Sequence, residues 1–225
     1  MIVVTGASRG LGRAICERLL AGGAEVHGLA RDSAGLPFPA SDCDVRSYEQ
    51  IWALTQSFKQ QGRTVSALIN AAGIAAMNPA LTTPPERARQ IVDTNLLGTI
   101  YCCQLMAPLM VRNGAGAIVN FSSLAVALGL QGEAVYAASK AGVEAYSRSL
   151  ARELAGFAIR VNCIAPGPIA TDMLKGVSEE QIAQLVARQI LPQRFTPDAV
   201  CDLVELLLDA RGASLSGQVL HVGGA

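Results

Sequence analysis

The stretch Met1-Ile2-Val3-Val4-Thr5-Gly6-Ala7-Ser8-Arg9-Gly10-Leu11-Gly12 decides the architecture. Ile2–Thr5 is a short apolar, β-branched run and reads as a buried strand. Gly6, Gly10 and Gly12 follow within eight residues of Thr5. Glycines let a backbone turn tightly and come close to a ligand. A helical pattern opens at Gly10 and runs to Ala21. A glycine-rich turn between a first strand and a first helix presents free N–H groups and a partial positive charge to an anion.

Outward from this unit, the same alternation repeats. Strand candidates are Glu25–Ala30, Ser66–Asn70, Ala117–Phe121, Ile159–Ile164 and Gln218–Val222, with a weak one near Ala40–Cys43. Helical patterns lie near Tyr48–Gln60, Pro85–Asn113, Ala134–Leu154, Glu179–Gln189 and Pro197–Leu208. Such alternation predicts an α/β fold: one doubly wound, Rossmann-type parallel sheet of about seven strands with helices on both faces. Residues 1–225 are expected to form a single domain. Arg31-Asp32-Ser33-Ala34-Gly35-Leu36-Pro37-Phe38-Pro39 breaks the rhythm. Two prolines and a glycine predict an irregular loop where a crossover helix would otherwise stand, leaving an open sheet edge near Arg31–Asp44.

Composition narrows the partners. The chain has 225 residues, of which 51% are hydrophobic and 16% charged, so it can bury a large core. Its 18 basic and 18 acidic residues balance to a formal charge of zero. Bulk charge therefore offers nothing to nucleic acid or an anionic membrane. No apolar run approaches the roughly 18 residues of a membrane span. The start lacks a basic region and a long apolar core of the signal-peptide kind. Six cysteines form no C-x-x-C pair and the two histidines are far apart, so no metal is expected. The cysteines read as reduced core residues, and the protein as cytoplasmic.

In a doubly wound sheet, ligands bind at the carboxyl ends of the strands. The glycine loop and its helix there predict a dinucleotide whose pyrophosphate sits on Gly6, Ser8, Arg9, Gly10, Leu11 and Gly12. An acid about 20 residues further on would bind a ribose hydroxyl. Asp32 has that spacing, but the second strand ends at Ala30, which puts a small residue at the ribose. Arg31 comes next, and Arg9 lies in the loop. Two guanidinium groups suit a 2′-phosphate, which selects NADP(H). The alternative leaves both arginines solvated, with Asp32 paired to one of them. Asp44-Val45 follows the third strand, where a carboxylate could accept from an adenine amino group. Asn70-Ala71-Ala72-Gly73 ends the fourth strand with residues small enough for a close approach.

Tyr136 and Lys140 stand four apart on a helical pattern, so they share one face. A free phenol has a pKa of about 10, and an adjacent ammonium favours its ionised form. The pair therefore reads as a tuned proton donor, with the phenol lowered by the lysine.

These features together resemble the short-chain dehydrogenase/reductase family. The matching residues are T-G-x-x-x-G-x-G at Thr5–Gly12, Asn70–Gly73, Asn95, Ser122-Ser123, Tyr136-x-x-x-Lys140, Pro166-Gly167 followed by Thr171, and the close at Ser216–Gly224. The resemblance runs through the whole chain and is closest to 3-oxoacyl-acyl-carrier-protein reductases. It implies reduction of a carbonyl with a nicotinamide cofactor. Tyr136 would protonate the carbonyl oxygen, Lys140 would hold the nicotinamide ribose, and Ser123 would bond the substrate oxygen, with Ser122 its competitor. Asn95 would hold a water that links Lys140 to solvent. Pro166, Gly167, Ile169 and Thr171 would line the nicotinamide side.

The resemblance also implies a homotetramer or dimer through Pro85–Asn113, Ala134–Leu154 and the last strand. Ala134, Ala137, Ala138, Ala141 and Ala145 would let helices pack closely. Residues 173–197 would form a substrate lid. Carrier-dependent members place basic residues beside the active-site mouth, where this chain has Gly114 and Phe157, and Glu133 adds a negative charge near Tyr136. The resemblance implies a 3-oxoacyl thioester or related ketone as substrate; these departures favour the rival, a small free ketone, aldehyde or secondary alcohol. A non-catalytic nucleotide-binding protein and an epimerase or dehydratase are further alternatives.

Overall fold

The computed structural model describes residues 1–75, 77–170 and 178–224. Seven parallel strands form one sheet in the order β3-β2-β1-β4-β5-β6-β7. They are β1 Ile2–Thr5, β2 Val26–Ala30, β3 Ala40–Asp42, β4 Ala67–Asn70, β5 Gly116–Phe121, β6 Ile159–Pro166 and β7 Val219–Val222. The order reverses between β1 and β4, and a cleft opens at such a switch point. The helices are α1 Gly10–Ala21, α2 Tyr48–Gln60, α3 Pro85–Val92, α4 Gly98–Asn113, α5 Leu124–Leu128, α6 Ala134–Leu154, α7 Glu179–Ala187 and α8 Pro197–Leu208.

Strand side chains alternate between the two sheet faces. Val3, Leu68, Ile118 and Val161 point to a core shared with residues of α2, α4 and α6. Val4, Ile69, Val119 and Ile164 point to a second core with residues of α1 and α8. Neighbours in sequence thus serve opposite layers, which is why these strands read as continuous apolar runs.

The Arg31–Pro39 segment is irregular, as its prolines require, and β3 is the sheet edge. The face that a crossover helix would cover is closed, however. Phe38 is buried, and Leu36 packs against the same core. Gly28 makes room for it: a Cβ there would lie 2.8 Å from the Phe38 ring and 2.7 Å from the Ala7 Cβ.

Helices α3 and α4 run into each other through a π-helical segment, Asp93–Leu97. The combined rod, Pro85–Asn113, is long and apolar enough by composition to cross a membrane, contrary to the expectation from apolar run length. Half of its apolar window is buried inside the fold, with Cys102, Cys103, Met106, Leu109 and Met110 in the core. Its hydrophobicity is that of a core helix. All six cysteines are free and buried.

His27 on β2 is buried, with Nε2 2.9 Å from Ser41 Oγ and its ring edge-on to Phe58. Burial, and then the Arg63 guanidinium, push its pKa down to about 4. The unfolded chain takes up this proton near pH 6.5, whereas the folded chain resists it. Stability is therefore complete above about pH 6.5 and falls as the pH drops toward about 4. Between about pH 7 and pH 4.5, wild type should lose about 1 to 3 kcal/mol more than His27→Gln in urea unfolding. Parallel losses in the two proteins would show that His27 does not carry this effect.

Candidate active site

The site is built at the carboxyl ends of β1, β4, β5 and β6. Gly6 has φ +68° and Gly10 φ +56°, the left-handed region that glycine alone enters freely. A Cβ on Gly6 would lie 2.8 Å from Ala72 Cα, and one on Gly12 would lie 2.3 Å from the Gly6 carbonyl oxygen. Side chains are excluded here by backbone, so the loop after β1 and the loop after β4 pack edge to edge. Thr5 Oγ1 accepts from the Ala72 N–H at 3.0 Å and fixes that contact. Arg9 precedes α1 in extended conformation and gives it no side-chain cap. The first N–H groups of α1 thus remain available to an anion, the cradle a pyrophosphate requires.

At the adenosine end, two of the expected contact residues also have partners within the protein. Both carboxylate oxygens of Asp44 are gripped by Arg46, whose Nη2 lies 2.5 Å from Oδ2 and whose Nε is 3.0 Å from each oxygen. These bonds hold the Asp44 carboxyl below its usual range. The Asn70 side chain turns into the core, where Nδ2 donates to Asn120 Oδ1 at 2.8 Å and to Cys103 Sγ at 3.3 Å. Asn70 is thus a tie between β4, β5 and α4, and it is the backbone of Ala71, Ala72 and Gly73 that meets the cleft. Val45 is buried against Gly98, where a Cβ would meet its Cγ2 at 2.8 Å. Arg9 and Arg31 are exposed and form no ion pair among the described residues; Asp32 accepts from the Ala34 N–H instead of pairing with either. Arg31, Asp42, Asp44, Gln50 and Leu54 line a cleft of about 590 Å³ beside β3.

Tyr136 and Lys140 lie in the first two turns of α6 and are both buried. The phenol is walled by Ile91, Ala125, Ile74, Ala75, Leu130 and Val135. Burial pushes its pKa up to about 12, against a hydrogen bond from the Ser123 side chain that lowers it; Glu133 adds to the rise. The expectation of a phenol lowered by Lys140 is therefore corrected. Desolvation outweighs every stabilising contact, and the lysine faces elsewhere: Nζ donates to the Phe121 carbonyl at 2.8 Å. Burial likewise pushes Lys140 down to about 8. The phenol thus carries its proton at neutral pH, the form that can donate.

Ser123 lies two residues past β5 in extended conformation and caps α5, its Oγ accepting from the Ala125 N–H at 3.2 Å. The same side chain lies near enough to the Tyr136 phenol to favour its ionised form, though burial outweighs it. Ser122, its competitor, donates to Glu144 Oε1 at 2.6 Å and points to the helix instead. Asn95 sits fully buried in the π segment. Its Oδ1 accepts from the Ile74 N–H at 2.8 Å, and its Nδ2 donates to the Ile74 carbonyl at 2.9 Å and to Ser139 Oγ at 3.1 Å. Asn95 thereby clamps the loop after β4 to α6. A Cβ on Gly73 would lie 3.4 Å from Asn95 Oδ1 and 3.5 Å from Lys140 Nζ. The glycine-rich loops and the Tyr136–Lys140 pair therefore meet at Gly73.

Pro166 closes β6, and Gly167 packs against the buried Gln189 side chain. Ile169 pairs with Phe195 in an isolated parallel bridge. Thr171 and part of the expected lid lie outside the described residues. Ser139, Glu144 and the Phe121 carbonyl are site partners that the motifs did not mark. Ser139 and Glu144 stand three and eight residues after Tyr136, on the helix face the pair defines, and that spacing was the available signal.

A glycine-rich loop running into a buried tyrosine and lysine, with a half-buried serine beside them, is the arrangement expected of an oxidoreductase of the Rossmann class. A family model described as enoyl-(acyl carrier protein) reductase matches residues 6–224. The 3-oxoacyl-[acyl-carrier-protein] reductase FabG of Staphylococcus aureus is 34% identical over 236 residues, covering 99% of this chain and 96% of that protein. The Thermoplasma acidophilum aldohexose dehydrogenase superposes with a TM-score of 0.89 at 29% identity, covering 99% of this chain and 92% of that one. A 4-hydroxyisoleucine dehydrogenase complexed with NADH has a TM-score of 0.89 at 26% identity, covering 99% and 96%. The chain belongs to the short-chain dehydrogenase/reductase family.

Proposed function

We propose that the protein reduces a carbonyl to an alcohol with NADPH, and that Tyr136 is the proton donor. The observation that carries this reading is the buried, protonated phenol beside Ser123 and one turn from Lys140, where Gly73 brings the glycine-loop backbone against the lysine. The nicotinamide, when bound, supplies hydride. Ser123 and Tyr136 would both hydrogen-bond the substrate oxygen, which polarises the carbonyl and places the phenol proton on the atom that gains negative charge. Lys140 would hold the ribose at the position that Gly73 leaves free. Asn95 keeps the loop and α6 in register and, through its π segment, would support proton return to Lys140. Thr171, Ile169 and Gly167 would line the nicotinamide side, with the lid near 173–197.

The preference for NADPH rests on Arg9 and Arg31, exposed and without an ion pair among the described residues, beside the place of the 2′-phosphate. Asp44 would offer adenine only the acceptor capacity that Arg46 leaves. NADPH should bind at least about tenfold more tightly than NADH in fluorescence titration, and Arg31→Ala should remove most of that difference. Equal affinities in wild type would contradict the assignment.

Likeness to the 3-oxoacyl reductases supports a 3-oxoacyl thioester or related ketone as substrate. A smaller free ketone is the second reading, favoured by Glu133 at the mouth and by Gly114 and Phe157 in place of basic residues. Residues 1–225 would act as one domain, in the cytoplasm, as a homo-oligomer. Ala134, Ala138 and Ala145 are exposed on α6, and a groove lined by Ile100, Ala107, Val111, Leu150 and Leu154 runs between α4 and α6. Both suit a second copy.

A further inference from the structure

Glu133 stands immediately before α6, one helical turn from Tyr136. An acid at a helix start usually serves as a cap, but Glu133 makes no capping hydrogen bond. Its carboxylate forms no ion pair or side-chain hydrogen bond among the described residues. It is nonetheless half-buried, and its charge is felt by the Tyr136 phenol. Burial alone pushes its own carboxyl above the usual range. The backbone around it is fixed: Glu133 N–H donates to the Leu130 carbonyl at 3.2 Å, and the Gly132 carbonyl accepts from the Asn78 N–H at 2.8 Å. The Tyr136 ring one turn on is packed by apolar residues, among them Ile74, Ala75, Leu130 and Val135. Arg188, at the end of α7, donates to the Leu128 carbonyl at 2.9 Å and forms no ion pair with Glu133.

We infer that Glu133 determines the substrate class of this site, selecting carbonyl compounds whose chain carries a hydrogen-bond donor, best an ammonium, and disfavouring those that carry an anion. The inference rests on the carbonyl-reductase reading above. A carboxylate that has lost part of its water and gained no protein partner is a costly group to keep beside an apolar wall. A substrate ammonium restores the missing partner, in surroundings where the attraction exceeds its value in water. A substrate carboxylate meets like charge at the same place. An ammonium over Glu133 also neutralises one of the influences that hold the Tyr136 phenol up, which makes the phenol a better proton donor.

Three ketones of similar length test this with NADPH: diethylaminopentanone, which is cationic, methyl butyl ketone, which is neutral, and levulinate, which is anionic. In wild type, kcat/KM for the cationic ketone should exceed that for the anionic one by at least about tenfold. Glu133→Gln should shrink that ratio by about tenfold or more, and Glu133→Asp should keep most of it. NADPH affinity and thermal melting report whether each variant is folded. A ratio unchanged in a folded Glu133→Gln protein overturns the inference, while turnover of the neutral ketone keeps the carbonyl-reductase reading. Failure of wild type to reduce any of the three while binding NADPH counts against that reading and takes the inference with it. A second measurement needs no variant. Butylammonium should inhibit reduction of the neutral ketone at least about tenfold more tightly than butyrate, and equal or reversed inhibition overturns the inference.

Discussion

Tyr136→Phe should lower kcat by at least about 100-fold while changing NADPH affinity by less than about threefold. Loss of a positioned general acid costs about 10²- to 10⁴-fold, and 100-fold corresponds to about 2.7 kcal/mol of barrier. The effect should fall on kcat because the phenol is walled by Ile91, Ala125 and Leu130 and lies beside Ser123, and makes no hydrogen bond to the glycine loop among the described residues. Removing one oxygen leaves that wall intact, so the variant should fold and bind cofactor. Turnover within a fewfold of wild type would remove Tyr136 from the chemistry and pass the proton to another donor.

Gly12→Ala should weaken NADPH binding by at least about 100-fold, or prevent folding. The added Cβ would lie 2.3 Å from the Gly6 carbonyl oxygen and 3.0 Å from the Thr5 carbonyl oxygen. Both atoms are backbone, so relief requires moving the β1 loop or the start of α1. Either movement spoils the cradle, since Gly6 in turn has Ala72 backbone 2.8 Å from its own missing Cβ. Gly156→Ala is the contrast: a Cβ there meets nothing within 4 Å, and the variant should behave as wild type. Isothermal titration of both proteins with NADPH, alongside thermal melting, separates the cradle from a general loss of stability. Equal affinity in Gly12→Ala and wild type would show that the loop is not the pyrophosphate site.

The architecture was legible because its signals are local. β1, α1, α2, α6 and α8 lie at the expected residues, since apolar runs, glycine turns and helical periodicity are read within one element. Pro37 and Pro39 marked the missing crossover helix, but not that Phe38 would cover the sheet at Gly28. That depends on two segments meeting. The short α5 was passed over, although Ser123 followed by five apolar residues and Gly129 is a cap, a turn and a left-handed stop. The π segment around Asn95 has no sequence signature of its own, since it adjusts a helix that must reach both Ile74 and Ser139.

At the site, identities were easier to read than energies. Spacing placed Tyr136 and Lys140 on one face, but spacing does not report burial, and burial moves the phenol up and the ammonium down. Ser123 and Ser122 could not be separated by adjacency alone; the Glu144 carboxylate, one turn past Lys140, takes the second serine away. Asp44 and Asn70 were expected as cofactor contacts from where they fall along the chain. Their partners, Arg46 and Asn120, are set by side-chain geometry that position does not encode.

The central claim is that hydride moves to a carbonyl carbon while Tyr136 supplies the proton. It is tested most directly by incubating the protein with NADPH deuterated at both C4 positions of the nicotinamide and a ketone such as methyl butyl ketone, then reading the product by mass spectrometry and proton NMR. The account predicts one deuterium on the carbinol carbon, formed one for one with NADP, and at least about 100-fold less product per unit time in Tyr136→Phe. An alcohol without deuterium at that carbon, or labelled alcohol formed equally fast by the Tyr136→Phe protein, would contradict it.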